Sequence, residues 1–499
     1  MSIIRFNEVN FKYPGTGKFA LEKINLNIME GEFFAVMGES GAGKTTLCKL
    51  VNGIIPHLCE GNLTGAVIVD GGNTIDCAVS SLASKVGMVL DDPDAQLFTS
   101  TVRQEAAFGP ENLLLNIEEI ESRVKSALRA VGLDGFENRI PSSLSGGEKQ
   151  RLSIAAALAM QGKILCLDDP LCRLDPAGAR EVISVLRDLR EKRGITIIMT
   201  SYDSNVIAQN VGRVCILKNG RVAALDTAKN IFADGALLEE NGIQPLSQTE
   251  CGVQFFNNYQ AANNAEIEAV KIENFCFTYP NGISIENISL SIADNDFTAI
   301  TGNNGCGKTT LLKSVTGLLR PRSGDIFIRG RNTKEMTVSD ICAEAGFVMQ
   351  NPDTQLFTDS VYNEVSFALK NTRGHKRLSN AEINKRVDGA LAAAGLEDAQ
   401  AFPHALCKAD RVRTVIACVL ATGCRIIILD EVDAGLDYHD NIKIMNLVRD
   451  LHNRGFTIIF VTHNMFLAGS YARRIIKIDK NKIAFDSASE QGSQLDEEI

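Results

Sequence analysis

GESGAGKTT at Gly38–Thr46 recurs as GNNGCGKTT at Gly302–Thr310. Both satisfy G-x-x-x-x-G-K-[ST]. Each follows an apolar, strand-like run (Phe33–Met37, Phe297–Thr301) and leads into a helix-compatible one (Leu47–Val51, Leu311–Val315). That strand–loop–helix context predicts a phosphate-binding loop. Glycines let backbone N–H groups turn inward, the helix N-terminus adds partial positive charge, and the lysine reaches the outer phosphates. The expected nucleotide-binding residues are therefore Gly38, Gly41, Gly43, Lys44, Thr45 and Thr46, with Gly302, Gly305, Gly307, Lys308, Thr309 and Thr310. Thr45 and Thr309 are the expected magnesium-ligating hydroxyls.

Spacing extends the repeat outward from the loops. Lys44 and Lys308 lie 264 positions apart, and Tyr13 and Tyr279 lie 266 apart. Ser145–Cys407, Asp168–Asp430, Asp175–Asp437 and Ser201–His463 are each 262. Such small indels indicate duplication of a whole domain rather than a short solenoid repeat. Each copy opens with strand-like segments, Ile3–Val9 and Ala269–Phe275. A helix-rich stretch follows, clearest at 117–131, and then apolar strands at Ile164–Leu167 and 195–199, or 426–429 and Thr457–Val461. Strand–helix alternation with near-continuous apolar strands predicts an α/β fold: two tandem domains, each a mainly parallel sheet covered on both faces, with a helical subdomain. Boundaries are expected at 1–237 and 267–485, with a polar tether at 238–266 (QFFNNYQAANNAE within it) and an acidic tail at 486–499.

Composition narrows the function. The 499 residues carry 22% charged and 45% hydrophobic side chains, which is ordinary for folded globular domains. A formal net charge of -10 counts against nucleic acid as the main partner, because neutralising phosphates requires clustered Lys and Arg. Thirteen cysteines without a C-x-x-C pair read as buried thiols in a reducing compartment. The N-terminus lacks the pattern of a signal peptide, and the apolar runs are strand-length. The chain is therefore expected in the cytosol, with any membrane work done through a partner.

Asp168 and Asp430 end apolar strands beside the loops, where a carboxylate holds magnesium, commonly through water. Glu431 follows Asp430 and is the candidate to orient or deprotonate an attacking water; Asp169, one methylene shorter, has that place in the first copy. LSGGEKQR at Leu144–Arg151 precedes the Ala-rich run 152–160. Ser145, Gly146 and Gly147 there offer a hydroxyl and unobstructed backbone donors at a helix start, a second anion site. The second copy has LCKADRVR at Leu406–Arg413 instead.

These motifs, over both halves, resemble the ABC ATPases. The resemblance implies head-to-tail pairing, with each nucleotide held between one half's phosphate loop and the other half's LSGG segment. One composite site would contain Tyr279, Lys308, Thr309, Gln350, Asp430, Glu431 and His463, closed by Ser145, Gly146 and Gly147. Glu431, His463, Gln350 and Lys308 are its expected catalytic residues, and Thr309, Gln350 and Asp430 its metal-binding residues. The other would contain Tyr13, Lys44, Thr45, Asp91, Asp168, Asp169 and Ser201, closed by Cys407, Lys408 and Ala409. It keeps binding residues such as Thr45 and Asp168 but not the hydrolytic set. Losing a positioned acid–base group costs about 10²–10⁴-fold in rate. The first loop's site is thus expected to hold ATP and hydrolyse it slowly, with Lys408 pairing a phosphate. Tyr13 and Tyr279 resemble the family's adenine-stacking aromatic. Cys306, inside the second loop, is read as tolerated filler.

The segments DDPDAQLFTSTVRQEAAFGPENLLL and QNPDTQLFTDSVYNEVSFALKN are similar to those of ATPases of energy-coupling factor importers, which take up vitamins and transition-metal ions. That implies ATP and Mg²⁺ as cofactors. It also implies a transmembrane coupling protein docked near Phe98, Phe108, Phe357 and Phe367, a separate membrane protein that captures substrate, and a place at the cytoplasmic face of the cell membrane. A sugar-type tandem importer ATPase is the nearer alternative, disfavoured by the NPDxQLF segments. A soluble translation factor would carry a long charged helical linker, and a non-hydrolysing regulatory module would not keep Glu431 and His463.

Overall fold

The computed structural model describes residues 1–246, 268–279, 284–372 and 378–488. Most of the expected tether (247–266) and tail (489–499) lies outside the described residues. The chain divides into two compact units, the first over Met1–Leu246 and the second over the described residues from Glu268 onward, with Asp437–His439 counted in the first.

In the first unit a six-stranded sheet has the order Arg221–Thr227, Arg213–Lys218, Phe33–Met37, Thr196–Thr200, Ile164–Leu167, Val86–Val89. The outer pair Arg221–Thr227 and Arg213–Lys218 is antiparallel, and the other neighbours are parallel. Phe33–Met37 shows no polar alternation because both its faces are covered. Phe33, Ala35 and Met37 pack among helices, while Phe34 and Val36 pack toward a second sheet and the helix Lys44–Val51. That second sheet is antiparallel, in the order Leu21–Met29, Ser2–Lys12, Asn62–Val69, Gly72–Asn73. It adds to the parallel sheet expected from the sequence.

The helical part of this unit comprises Val102–Asn112, Ile117–Ala130 and Gly146–Ala159. Ile117–Ala130 starts where the Asn116 side chain accepts from Glu119 N at 2.8 Å, and it buries Ile120, Val124, Ala127 and Leu128 along one stripe. Residues 238–246, read above as the start of a tether, instead continue the unit. Leu238 and Ile243 are buried in the apolar cluster around the sheet, so hydrophobic burial holds this stretch down.

The second unit repeats the plan. Its six-stranded sheet runs Ala345–Val348, Ile426–Asp430, Thr457–Val461, Phe297–Thr301, Arg474–Asp479, Lys482–Asp486, with the last pair antiparallel. Ser284–Ala293, Glu268–Thr278, Ser323–Ile328 and Arg331–Asn332 form the antiparallel sheet. Helices Val361–Asn371, Asn380–Ala393 and Lys408–Ala421 share a separate apolar cluster that includes Val365, Val387 and Ala417. Both phosphate loops thus leave the end of a parallel strand buried on both faces, which fixes the loop rigidly.

No disulfide forms among the described cysteines. Cys48, Cys166, Cys215, Cys306 and Cys424 are buried as expected, but Cys342 and Cys407 are exposed. Those two sit on helix ends facing outward, a placement composition alone does not encode.

Candidate functional site

Each phosphate loop is shaped by glycines in conformations that side chains avoid. At Gly38 (φ 137°) and Gly302 (φ 145°) an added Cβ would collide with the carbonyl of Leu217 or Ile478 in the neighbouring strand. Lys308 Nζ folds back to donate to the carbonyls of Gly302 (2.7 Å) and Asn303 (3.1 Å). Lys44 Nζ does the same to Gly38 (2.9 Å) and Glu39 (2.8 Å). Tyr13 and Tyr279 are tied to the helices behind the loops through Thr46 Oγ1 (3.1 Å) and Thr310 Oγ1 (2.8 Å). Each stands edge-on to a neighbouring ring, Phe11 or Phe277.

Around the second loop the expected residues converge. Glu431 Oε1 lies 3.1 Å from His463 Nε2 and 3.6 Å from Lys308 Nζ, while Gln350 Nε2 donates to Glu431 Oε2 at 2.9 Å. His463 Nε2 is also 3.1 Å from Asn304 Oδ1 on the loop itself. Thr309 Oγ1 donates to Asp430 Oδ1 at 3.2 Å, so the hydroxyl and carboxylate expected to share a metal already adjoin. Burial pushes the Asp430 carboxyl up to about 6, with the Thr309 hydrogen bond opposing and the Glu431 charge adding. Burial also acts to raise Glu431, but the His463 hydrogen bond and the His463 and Lys308 charges outweigh it and leave its carboxyl below the ordinary value. Glu431 is therefore an ionised acceptor held on three sides, suited to orient a water. Asn304 was missed in the sequence; its signal was only its place inside the loop.

Around the first loop the equivalent positions do different things. Thr200 Oγ1 donates to Asp168 Oδ1 at 2.8 Å and accepts from Asp169 N at 2.8 Å, whereas Thr45 is exposed. Asp168 is thus fastened to the neighbouring strand, where its counterpart Asp430 bonds the loop threonine. Asp91 and Asp169 stand where Gln350 and Glu431 make their hydrogen bond, and Asp91 lacks the amide N–H that Gln350 donates.

The match of Ser201 with His463 is overturned by the strand registers. Phe33 pairs with Ile197 and Phe297 with Ile458, so these strands correspond at a spacing of 261, not 262. Helix Pro176–Arg193 has 18 residues against 16 for Tyr438–Asn453, and the inserted residue lies in its last turn, between Asp188 and Gly194. Ser201 then matches Thr462: each hydroxyl accepts from the backbone N–H two residues on, at Asp203 (3.0 Å) or Asn464 (2.9 Å). Asp203 and Asn464 in turn cap the helices that follow. The residue in the place of His463 is Tyr202. Its ring centroid lies 4.2 Å from Lys44 Nζ. Burial lowers the Lys44 ammonium to about 8, against the opposing charge of Asp169.

The family model for ABC transporters matches residues 21–172 and again 285–434. This chain belongs to the ABC transporter family. It is a tandem ABC ATPase that binds ATP. A protein of Caldanaerobacter subterraneus subsp. tengcongensis is 36% identical over 95% of this chain and 90% of its own length. One of Methanosarcina acetivorans is 34% identical over 99% of this chain and 87% of its own. Both carry names that place them among ABC transporter ATP-binding proteins. The solved structure of cbiO1 from Clostridium perfringens, part of the ABC transporter complex cbiONQ, is 34% identical. It covers 48% of this chain and 94% of its own, with a TM-score of 0.43.

The two signature segments of this ABC ATPase also differ. Ser145 caps helix Gly146–Ala159 through a reciprocal pair: its hydroxyl accepts from Glu148 N (3.3 Å), and Glu148 Oε2 accepts from Ser145 N (2.8 Å). The helix therefore begins at the glycines, earlier than the Ala-rich run, and Gly146 and Gly147 form its first turn. Cys407 precedes helix Lys408–Ala421 and makes no side-chain cap bond. Lys408, expected to pair a phosphate, donates to the Ala434 carbonyl at 2.5 Å within its own unit, and Ala409 is buried.

Phe98 and Phe108 are 67% and 46% exposed, and Phe357 and Phe367 63% and 46%, so these rings lie outside the core. Each pair meets edge-on with centroids 4.9 Å apart. The buried Glu105 and Glu364 hold each pair in place by accepting from the backbone N–H of Phe98 and Phe357. No helix among the described residues is long and apolar enough to cross a membrane.

Proposed function

We propose that this ABC ATPase is the ATP-hydrolysing subunit of an importer of the energy-coupling factor type, for vitamins or transition-metal ions, with one competent and one degenerate composite site. The halves would pair head to tail. Ser145, Gly146 and Gly147 would then close over the loop of Lys308, and Cys407, Lys408 and Ala409 over the loop of Lys44. The observation that carries the asymmetry is Glu431, held by Gln350, His463 and Lys308, against a first loop where Asp169 replaces Glu431 and the ring of Tyr202 lies on Lys44.

At the competent site Glu431 orients the attacking water and accepts its proton, His463 and Lys308 meet the outer phosphate, and Gln350 keeps Glu431 in place. Thr309, Asp430 and Gln350 present the hard oxygen donors that Mg²⁺ takes, and the Thr309–Asp430 contact fits that assignment. Bound there, Mg²⁺ would neutralise charge on the phosphates. The exposed phenylalanine pairs are the docking points for a transmembrane coupling protein, with a separate membrane protein capturing substrate. The ATPase would then sit at the cytoplasmic face of the cell membrane. The support is the shared PDxQLF segments together with the exposure of two matched aromatic pairs, which is uncommon on a surface without a partner.

Affinity purification from the native membrane tests the partner reading, because a coupling protein and a small substrate-binding membrane protein must co-purify. Recovery of ribosomes without membrane subunits would overturn it. Steady-state ATPase rates of Glu431→Gln and Asp169→Asn in the assembled transporter test the asymmetry; equal losses would sink it.

A further inference from the structure

The Lys44 ammonium has two hydrogen-bonded partners and an aromatic ring close to it. The partners are the carbonyls of Gly38 and Glu39, and the ring of Tyr202 lies 4.2 Å away, with the Asp169 charge also acting on the ammonium. Lys308 makes the same two loop contacts, to Gly302 and Asn303, but its third neighbour is Glu431 at 3.6 Å. His463, the counterpart of Tyr202, is turned to Glu431 and Asn304 instead. The ring is set at its position by the turn on Ser201 and the cap on Asp203, so its place over Lys44 is built into the strand-to-helix connection.

A phosphate-loop lysine meets the outermost phosphates of a bound nucleotide. A centroid distance of 4.2 Å leaves no room for a phosphate oxygen between ring and ammonium on that side. The π-face and a phosphate oxygen also compete for the same positive charge. A triphosphate must displace the ring, while a diphosphate, held more by the backbone N–H groups of the loop, needs the third donor less.

We propose that Tyr202 is a specificity-determining residue of the first unit's nucleotide site, a π-lid on Lys44 that lowers that site's preference for nucleoside triphosphate over diphosphate. This rests on the reading that the first loop binds nucleotide. Losing one cation–π contact changes affinity by roughly 2- to 30-fold, which is the expected gain for the triphosphate when the ring is removed.

The test uses the full chain carrying Lys308→Ala, so that the first loop supplies the binding, with Mg-ATP and Mg-ADP as probes in equilibrium titrations. Tyr202→Ala is expected to tighten ATP by about 2- to 30-fold and ADP by less. Tyr202→Phe, which keeps the ring and loses only the hydroxyl, should keep the original ratio. An unchanged ratio in Tyr202→Ala, or weaker ATP binding, would overturn the lid. Absence of any nucleotide binding in the Lys308→Ala chain would overturn the lid together with the reading beneath it. Because the chain contains no tryptophan, Tyr202→Trp adds one selectively excitable indole on the lysine. Its emission must shift on adding ATP and shift less with ADP; a silent signal with ATP bound also rejects the proposal.

Discussion

Gln96 in the first unit bonds Leu90 N and the Met88 carbonyl, and Gln355 in the second bonds Met349 N and the Phe347 carbonyl. Glu105 and Glu364 likewise each accept from two successive backbone N–H groups, and the tyrosine–threonine pair recurs. A few ångströms away the match ends. Glu431 gathers Gln350, His463 and Lys308, while Asp169 N bonds Thr200 Oγ1 and Tyr202 covers Lys44. Around the loops, divergence is therefore concentrated in groups that would touch the outer phosphate and the water. The scaffold that places them is kept. Loss of stability would have blurred both; this pattern instead marks a change of chemistry on a retained fold.

The sharpest way to break the comparison is to remove the carboxylates one at a time. Glu431→Gln should lower steady-state ATPase about 10²–10⁴-fold, and Asp169→Asn should leave it within a few-fold. A pH series probes the next difference. The Asp430 carboxyl, pushed up to about 6, keeps its proton better in the folded chain than in the unfolded one. Its burial cost is then felt above about pH 6 and relieved as pH falls toward about 4, so it favours unfolding at neutral pH by up to about 3 kcal/mol. Without nucleotide, Asp430→Asn should flatten the pH dependence of the unfolding midpoint in that window; an unaltered profile would refute the assignment.

Smaller effects sharpen the contrast at the signature helices. Ser145→Ala should cost about 1 kcal/mol in urea denaturation, because it removes one side of the reciprocal cap. Cys407→Ala should cost almost nothing, since Cys407 makes no cap bond. The smallest shift is expected where the halves agree. Phe98→Ala and Phe357→Ala should each move stability by less than about 0.5 kcal/mol, their rings being mostly exposed, while reducing recovery of membrane partners. A large loss of stability would assign these rings to packing.

Much of this was legible in the chain. The glycine pattern of each loop, the apolar strands and the helix start at Ser145 are local features, set by backbone conformation and residues within one or two turns. Glu431 and Asp430 could be placed because they directly follow an apolar strand. The antiparallel sheets, the docking of Leu238 and Ile243, and the use of Lys408 on Ala434 were not legible. Each depends on contacts between residues far apart in sequence or between the layers of a unit.

The duplicated loops and the lost signature segment were thus determined by the sequence alone, since spacing and residue type suffice for motifs that act within a single turn. Which residue faces Lys44 was decided by tertiary structure. One extra residue in the last turn of helix Pro176–Arg193 shifts everything after it along the chain, and the parallel pairing of Phe33 with Ile197 shows where the shift is absorbed. Counting from fixed motifs pointed to Ser201; strand register, held by hydrogen bonds and by burial on both faces of the sheet, points to Tyr202.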